Sequence, residues 1–267
     1  METEKQRIVV KVGTSTLTRD NGSLKLHTID RLSQVLSDLK GMGHEVILVS
    51  SGAIGIGTGK LGLPERPKEL HLKQAVAAVG QCEMMHLYDK FFGEYGQTVG
   101  QILLTGDDVD HKERAAHLAA TFEALLSIGC IPVVNENDSV SAAEIETGKA
   151  KVLGDNDTLS AIVARFCKAD LLVLLSDIDG LYEEDPHKNP EAKLLETVHA
   201  VTDEVLAMAG GAGTQWGTGG MATKLSAAKV CIDAGIDMVI TNGNRMEDLY
   251  GIVNGERIGT RFTVHGA

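Results

Sequence analysis

Apolar residues recur along this chain with two different periods. Runs that are hydrophobic at consecutive positions, Ile8–Val12, Glu45–Val49, Thr98–Leu104, Ile131–Asn135, Leu171–Leu175 and Met238–Thr241, read as strands buried on both faces. Between them, apolar positions spaced three and four apart predict helices over about Thr28–Lys40, Glu69–Glu94, Lys112–Ser127, Asp157–Cys167, Thr202–Ala209 and Met221–Ala234. Gly41, Gly129 and Gly235 follow three of these helices, where a left-handed residue ends a helix without steric cost. Strands alternating with helices predict an α/β fold, a mostly parallel sheet covered by helices on each side. No Pro-, Gly- or Ser-rich linker, repeat or low-complexity tract interrupts the pattern. We therefore read residues 1–267 as a single domain of two halves, about 1–169 and about 170–267, parting near Ala169–Asp170.

The length of 267 residues suffices for one large α/β domain with a sizeable core. Acidic residues outnumber basic ones, 37 to 25, leaving a net charge of −12, and aromatics make up 4%. That balance argues against nucleic acid as a partner, because such binders carry a basic face and stacking rings. The longest aliphatic runs, such as Leu171–Leu175, are too short to cross a bilayer. The polar start from Met1 to Arg7 holds no signal-peptide core, so the expected location is cytoplasmic. Cys82, Cys130, Cys167 and Cys231 form no CxxC pair and fall in apolar-periodic segments, as reduced, packed thiols do. The histidines show no metal-ligand spacing, and no protein metal site is expected.

In a parallel sheet, ligands bind in the loops beyond the carboxyl ends of the strands. Here those loops are rich in Gly, Ser, Asn and Asp. Lys11, in an apolar strand before Gly13 and the hydroxyls of Thr14, Ser15 and Thr16, is either a phosphate ligand or a strand lysine reaching solvent. Ser50-Ser51-Gly52-Ala53 follows the second strand and offers bare backbone to an anion, or is simple turn chemistry. Two famous patterns nearby are decoys. Gly57–Gly62 matches GxGxxG but lies too far past its strand, and Gly59-Lys60 is followed by Leu61 where a P-loop needs Ser or Thr.

Asn135-Glu136-Asn137-Asp138 and Gly154-Asp155-Asn156-Asp157 suit a ligand with amino groups or a metal, although Asp155 or Asp157 is equally a helix N-cap. Asp177-Ile178-Asp179-Gly180 lacks the ligand spacing of a calcium loop; after Ser176 and its apolar strand it suits a planar ligand or a solvated turn. The stretch Thr218-Gly219-Gly220-Met221-Ala222-Thr223-Lys224 runs from a glycine-rich loop into a helix. It therefore combines free N–H groups, a positive dipole end and a lysine, as a triphosphate site requires; a flexible linker is the alternative. Two lysines at phosphate-capable loops, with no evident general base, suggest phosphoryl transfer to an acceptor that is already anionic.

Taken in order, these motifs, from Val9-Val10-Lys11-Val12-Gly13 through Asp179-Gly180-Leu181-Tyr182 to Gly217–Lys224, closely resemble the amino acid kinase family, and within it the members that phosphorylate glutamate. The resemblance spans Lys11 to Arg261 and implies a three-layer αβα sandwich, an amino-acid-binding half followed by a nucleotide-binding half. It implies ATP and L-glutamate as substrates, Mg2+ on the phosphates, and γ-glutamyl phosphate as product, the first step of proline synthesis. Carried over, Lys11 and Lys224 stabilise the transferring group and Asp157 orients them. Ser51, Gly52, Ala53, Asn135, Asp138, Asp155 and Asn156 hold glutamate. Ser176, Asp177 and Thr218 to Lys224, with Lys11, bind ATP. The family also implies feedback inhibition by L-proline, a homo-oligomer and transient contact with a glutamyl phosphate reductase. The C-terminal PUA domain that many such members carry is not expected in a chain of this length. Residues 142–153 read as a flap over the acceptor or a surface hairpin. A sibling kinase with another acceptor and a non-catalytic ATP sensor are the alternatives.

Overall fold

The computed structural model describes residues 4–19, 22–141, 155–186, 188–208 and 220–265. In chain order the elements are β1 (Arg7–Val12), α1 (Thr14–Leu17), α2 (Leu26–Gly41), β2 (Glu45–Ser50), α3 (Ala53–Lys60), α4 (Leu70–Glu94), β3 (Thr98–Leu104), α5 (Gly106–Asp110), α6 (Lys112–Ser127) and β4 (Cys130–Glu136). They continue with α7 (Asn156–Phe166), β5 (Leu171–Ser176), β6 (Thr197–Val198), α8 (Asp203–Met208), α9 (Met221–Asp233), β7 (Asp237–Asn242), α10 (Asp248–Val253) and β8 (Thr260–Phe262). The eight strands form one sheet in the order β3-β4-β2-β1-β5-β7-β8-β6. Every pairing is parallel except β7 with β8.

The predicted three-layer α/β sandwich is the observed architecture, and each predicted strand and helix is present with ends shifted by a few residues at most. The antiparallel β8 and the two-residue β6 carry no readable period because they are so short. The left-handed residue after α2 is Gly43 (φ +99°), not Gly41, which still lies within the helix; Gly129 and Gly235 do take that conformation. No helix among the described residues is long and apolar enough to cross a membrane.

Strand period explains where the core lies. In β1, Ile8, Val10 and Val12 pack with α2 and α4 on one face, while Val9 packs with α7 and α9 on the other. Lys11 has the parity of Val9, so its side chain leaves the sheet on the α7/α9 side. The amino ends of the strands are closed by Arg7, which pairs with Glu45 at 2.7 Å and Glu123 at 2.5 Å and also donates to the Cys167 carbonyl.

α3 was not expected, because Gly55, Gly57 and Gly59 depress helix propensity. Tertiary packing accounts for those glycines. A Cβ on Gly57 would stand 2.0 Å from the Val76 carbonyl oxygen, and one on Gly80 of α4 would stand 1.8 Å from the Ala53 oxygen. The two helices cross backbone to backbone. Gly80→Ala should gain up to about 1 kcal/mol of helix propensity, yet overpacking costs about 3 kcal/mol. Net destabilisation, seen as a lower urea midpoint at unchanged m-value, is the expected result.

Candidate functional site

β1 lies between β2, which continues the sheet in one direction, and β5, which continues it in the other. At such a reversal of strand order the loops splay apart and leave a crevice. Into it, from the α7/α9 side, comes Lys11. Its Nζ lies 2.6 Å from Asp157 Oδ1, and Lys224 Nζ lies 3.2 Å from Asp157 Oδ2. The Lys11 contact is a close ion pair. Thr223 Oγ1 donates to Asp157 Oδ2 at 2.8 Å. All three charged residues are buried: Lys11 is 9% exposed, Asp157 3% and Lys224 8%. Burial pushes the Asp157 pKa up, but the two ammonium groups and Thr223 outweigh it and hold the carboxyl below its usual range. One carboxylate thus serves two buried cations, a local surplus of positive charge that favours an anion.

Helix ends complete this setting. Asp155 caps α7, its Oδ1 accepting from the N–H groups of Asp157 and Thr158 at 2.7 and 2.9 Å, which sets the first turn that carries Asp157. Of its two sequence readings, ligand or N-cap, the structure displays the cap. α9 begins at Gly220 with no side-chain cap, so among the described residues the N–H groups of its first turn, at Met221, Ala222 and Thr223, meet no capping side chain beside Lys224. Thr218 and Gly219 lie outside the described residues, as do residues 142–153.

On the other side of β1, Gly52 caps α3 at φ +108°, a conformation that favours glycine. A Cβ there would crowd the Thr14 side chain at 3.1 Å. Ser51 Oγ bonds the Val12 carbonyl at 3.2 Å. Beyond it, at the ends of β3 and β4, opens a cleft of ≈ 420 Å³ lined in part by Ala53, Gln81, Cys82, Glu136 and Asp138. Asn135 is not at its surface: it is buried and donates from Nδ2 to Gln81 Oε1 at 3.0 Å. Among the described residues the buried Asn156 Oδ1 has no hydrogen-bond partner.

Cys82 departs from the expectation of packed thiols. It is exposed on the cleft wall, whereas Cys167 and Cys231 are buried and their thiols are pushed up to about 12 by that burial. An alkylating reagent should therefore modify Cys82 well before Cys167 or Cys231. An acceptor in the cleft is expected to slow that modification at least severalfold, as followed by peptide mass spectrometry. Unchanged Cys82 kinetics at saturating acceptor would move the acceptor elsewhere.

On the β5 side, Ser176 Oγ donates to Asp177 Oδ1 at 3.1 Å where the strand ends. Asp179 is tied down by Asn242 Nδ2 at 2.7 Å and Arg245 Nη2 at 3.1 Å. Gln81, which lines the cleft, and Asn242, which holds Asp179, were not singled out in the sequence; nothing local distinguishes them from ordinary helix and strand-end amides. Among the described residues no three His, Cys, Asp or Glu side chains converge as a metal site. Asp157, the central carboxylate, is committed to lysines.

The family model for the amino acid kinase family matches residues 6–242. The chain belongs to that family. Amino acid kinase relatives include the glutamate 5-kinase of Clostridium perfringens, 54% identical over 97% of this chain and 96% of that one. The glutamate 5-kinase of Listeria monocytogenes serovar 1/2a is 53% identical over 96% and 92%. Among solved structures, the isopentenyl phosphate kinase of T. acidophilum superposes with a TM-score of 0.65 at 20% identity, covering 96% of this chain and 99% of that one. The UMP kinase of Bacillus anthracis gives 0.64 at 14%, covering 98% and 97%. At those identities the last two speak for the fold alone.

Proposed function

We propose that this protein transfers the γ-phosphoryl group of ATP to the γ-carboxylate of L-glutamate, forming L-glutamyl 5-phosphate and ADP. The observation that carries the reading is the buried Lys11–Asp157–Lys224 cluster with its surplus of positive charge. The glutamate 5-kinase relatives, similar over nearly the whole chain, support the choice of acceptor. A carboxylate has a reference pKa near ~4, so at neutral pH it needs no base to act as nucleophile. Its oxygen attacks the γ-phosphorus while the bond to the β,γ-bridging oxygen breaks, and ADP leaves with that electron pair. The protein's task is to hold two anions in line and to neutralise the equatorial oxygens.

In this scheme Lys11 and Lys224 meet the transferring group from the ends of β1 and α9, and Asp157 holds both in place. The first-turn N–H groups of α9 take the phosphate chain, with Ser176 and Asp177 on the nucleotide side. Ser51, Gly52, Ala53, Asp138 and Asn156 form the acceptor side; Asp155 and Asn135 act behind them. Magnesium bound with ATP would supply charge neutralisation on the phosphates, while Asp157, engaged by the lysines, positions them. We place the reaction in proline synthesis, with L-proline competing at the glutamate site.

The test is acyl phosphate trapping with hydroxylamine, using magnesium-ATP and L-glutamate, N-acetyl-L-glutamate or L-aspartate, each with and without L-proline. A hydroxamate formed only from L-glutamate and suppressed by proline is the expected result. Turnover with another acceptor alone would reassign the substrate, and ATP binding without turnover on any acceptor would indicate a sensor.

A further inference from the structure

Gln81 sits in the middle of α4 in an alanine- and glycine-rich stretch, and nothing in its local sequence marks it out. The fold gives it an unusual position. It is 9% exposed and lines the ≈ 420 Å³ cleft with Ala53 and Asp138. Its Oε1 accepts from Asn135 Nδ2 at 3.0 Å, and Asn135, at the end of β4, is 2% exposed. A primary amide offers one acceptor oxygen and two N–H donors. With the oxygen turned to Asn135, the Nε2 donors are the part of Gln81 left for the cleft. They have no partner among the described residues. A nearly buried amide whose oxygen is anchored and whose donors are unused is arranged to bind an acceptor group on a ligand.

We infer that Gln81 is a specificity-determining residue, its Nε2 donating to the α-carboxylate of the amino-acid acceptor, and that Asn135 is the positioning residue that fixes its amide. The inference rests on the acceptor reading given above. Position in the sheet selects the carboxylate: the γ-carboxylate must face the phosphoryl group met by Lys11 and Lys224 beside β1, whereas this cleft lies two and three strands from β1, at β4 and β3. The acceptor's other charged group at that end, its ammonium, suits the Asp138 carboxylate on the same cleft and would repel an N–H donor.

Steady-state kinetics of Gln81→Ala and Gln81→Glu in the hydroxamate assay test this. Gln81→Ala should raise the KM for L-glutamate about tenfold, the loss of one hydrogen bond to a charged group, with kcat and the KM for magnesium-ATP little changed. Gln81→Glu keeps the volume and the oxygen that Asn135 needs, but removes both donors and places like charge against the acceptor. Its KM should rise further, about a hundredfold. A packing role predicts the opposite order, because only alanine opens a cavity. A second arm uses 4-aminobutanoate, which lacks the α-carboxylate: its kcat/KM should be the same in wild type and Gln81→Ala. The reverse order of the two variants, an equal penalty with both acceptors, or glutamate KM values close to wild type would each overturn the inference. A wild-type chain silent with L-glutamate is a different result, which removes the acceptor reading and this inference with it.

Discussion

Lys224→Ala is expected to lower kcat by about 10²–10³-fold, the usual cost of removing one preorganised donor to developing charge. The KM for glutamate should stay within a few-fold of wild type. Lys224 is buried at the first turn of α9 and held by Asp157 at 3.2 Å, so it is aimed before any substrate arrives. Such preorganisation costs nothing at the moment of reaction, which is why its loss falls on turnover. Lys11→Ala should behave similarly, since its ammonium meets the same carboxylate from the opposite side at 2.6 Å. The double variant should be little worse than either single one, because the two lysines act as a unit through one partner. Lys224→Arg should rescue poorly; a planar fork does not reproduce a point charge at a buried site. Single-turnover hydroxamate kinetics would separate these effects. Equal loss of acceptor binding and rate would make the lysines positioning residues instead.

Asp157→Ala should have the largest effect on stability, about 3 kcal/mol or more, because it leaves two buried ammonium groups with no counter-charge. Added sulfate or ATP should raise the Tm of this variant more than that of wild type, since an anion then takes the place of the carboxylate. A stability equal to wild type without anions would show that solvent already neutralises the pair. The pH dependence has a definite sign. The folded-state pKa of Asp157 is depressed, so its contribution is present in full above the ordinary carboxylate value of about 4. It is lost as pH falls through the lower folded value. The gap in stability between wild type and Asp157→Asn should therefore narrow on acidification and stay constant at neutral pH.

The legible part of the fold was the part with long periods. Leu171–Leu175 and Ile8–Val12 are apolar at nearly every position, and only strands covered on both faces need that. α3 was opaque for the opposite reason: its glycines contradict helix propensity, and the Val76 and Gly22 carbonyls that require them are contributed by distant segments. Likewise the exposure of Cys82 depends on which side of α4 meets β3, a fact of packing and not of spacing.

Sequence alone established the α/β class, the order of the phosphate-capable loops and Lys11 and Lys224 as chemical candidates; the role of Asp157, locally either ligand or helix cap, was implied only by the family resemblance. Residue type and position near strand and helix ends suffice for the loops and the two lysines, because a buried charge in an apolar run is rare unless it has a partner. Their convergence was decided by the tertiary structure. β1, α7 and α9 come from remote parts of the chain, and only the parity of Lys11 and the cap at Asp155 place two ammonium groups on one carboxylate. The Asn135–Gln81 pair belongs to the same class of fact: a hydrogen bond across 54 residues leaves no trace in either local sequence, since it depends on distance in space alone.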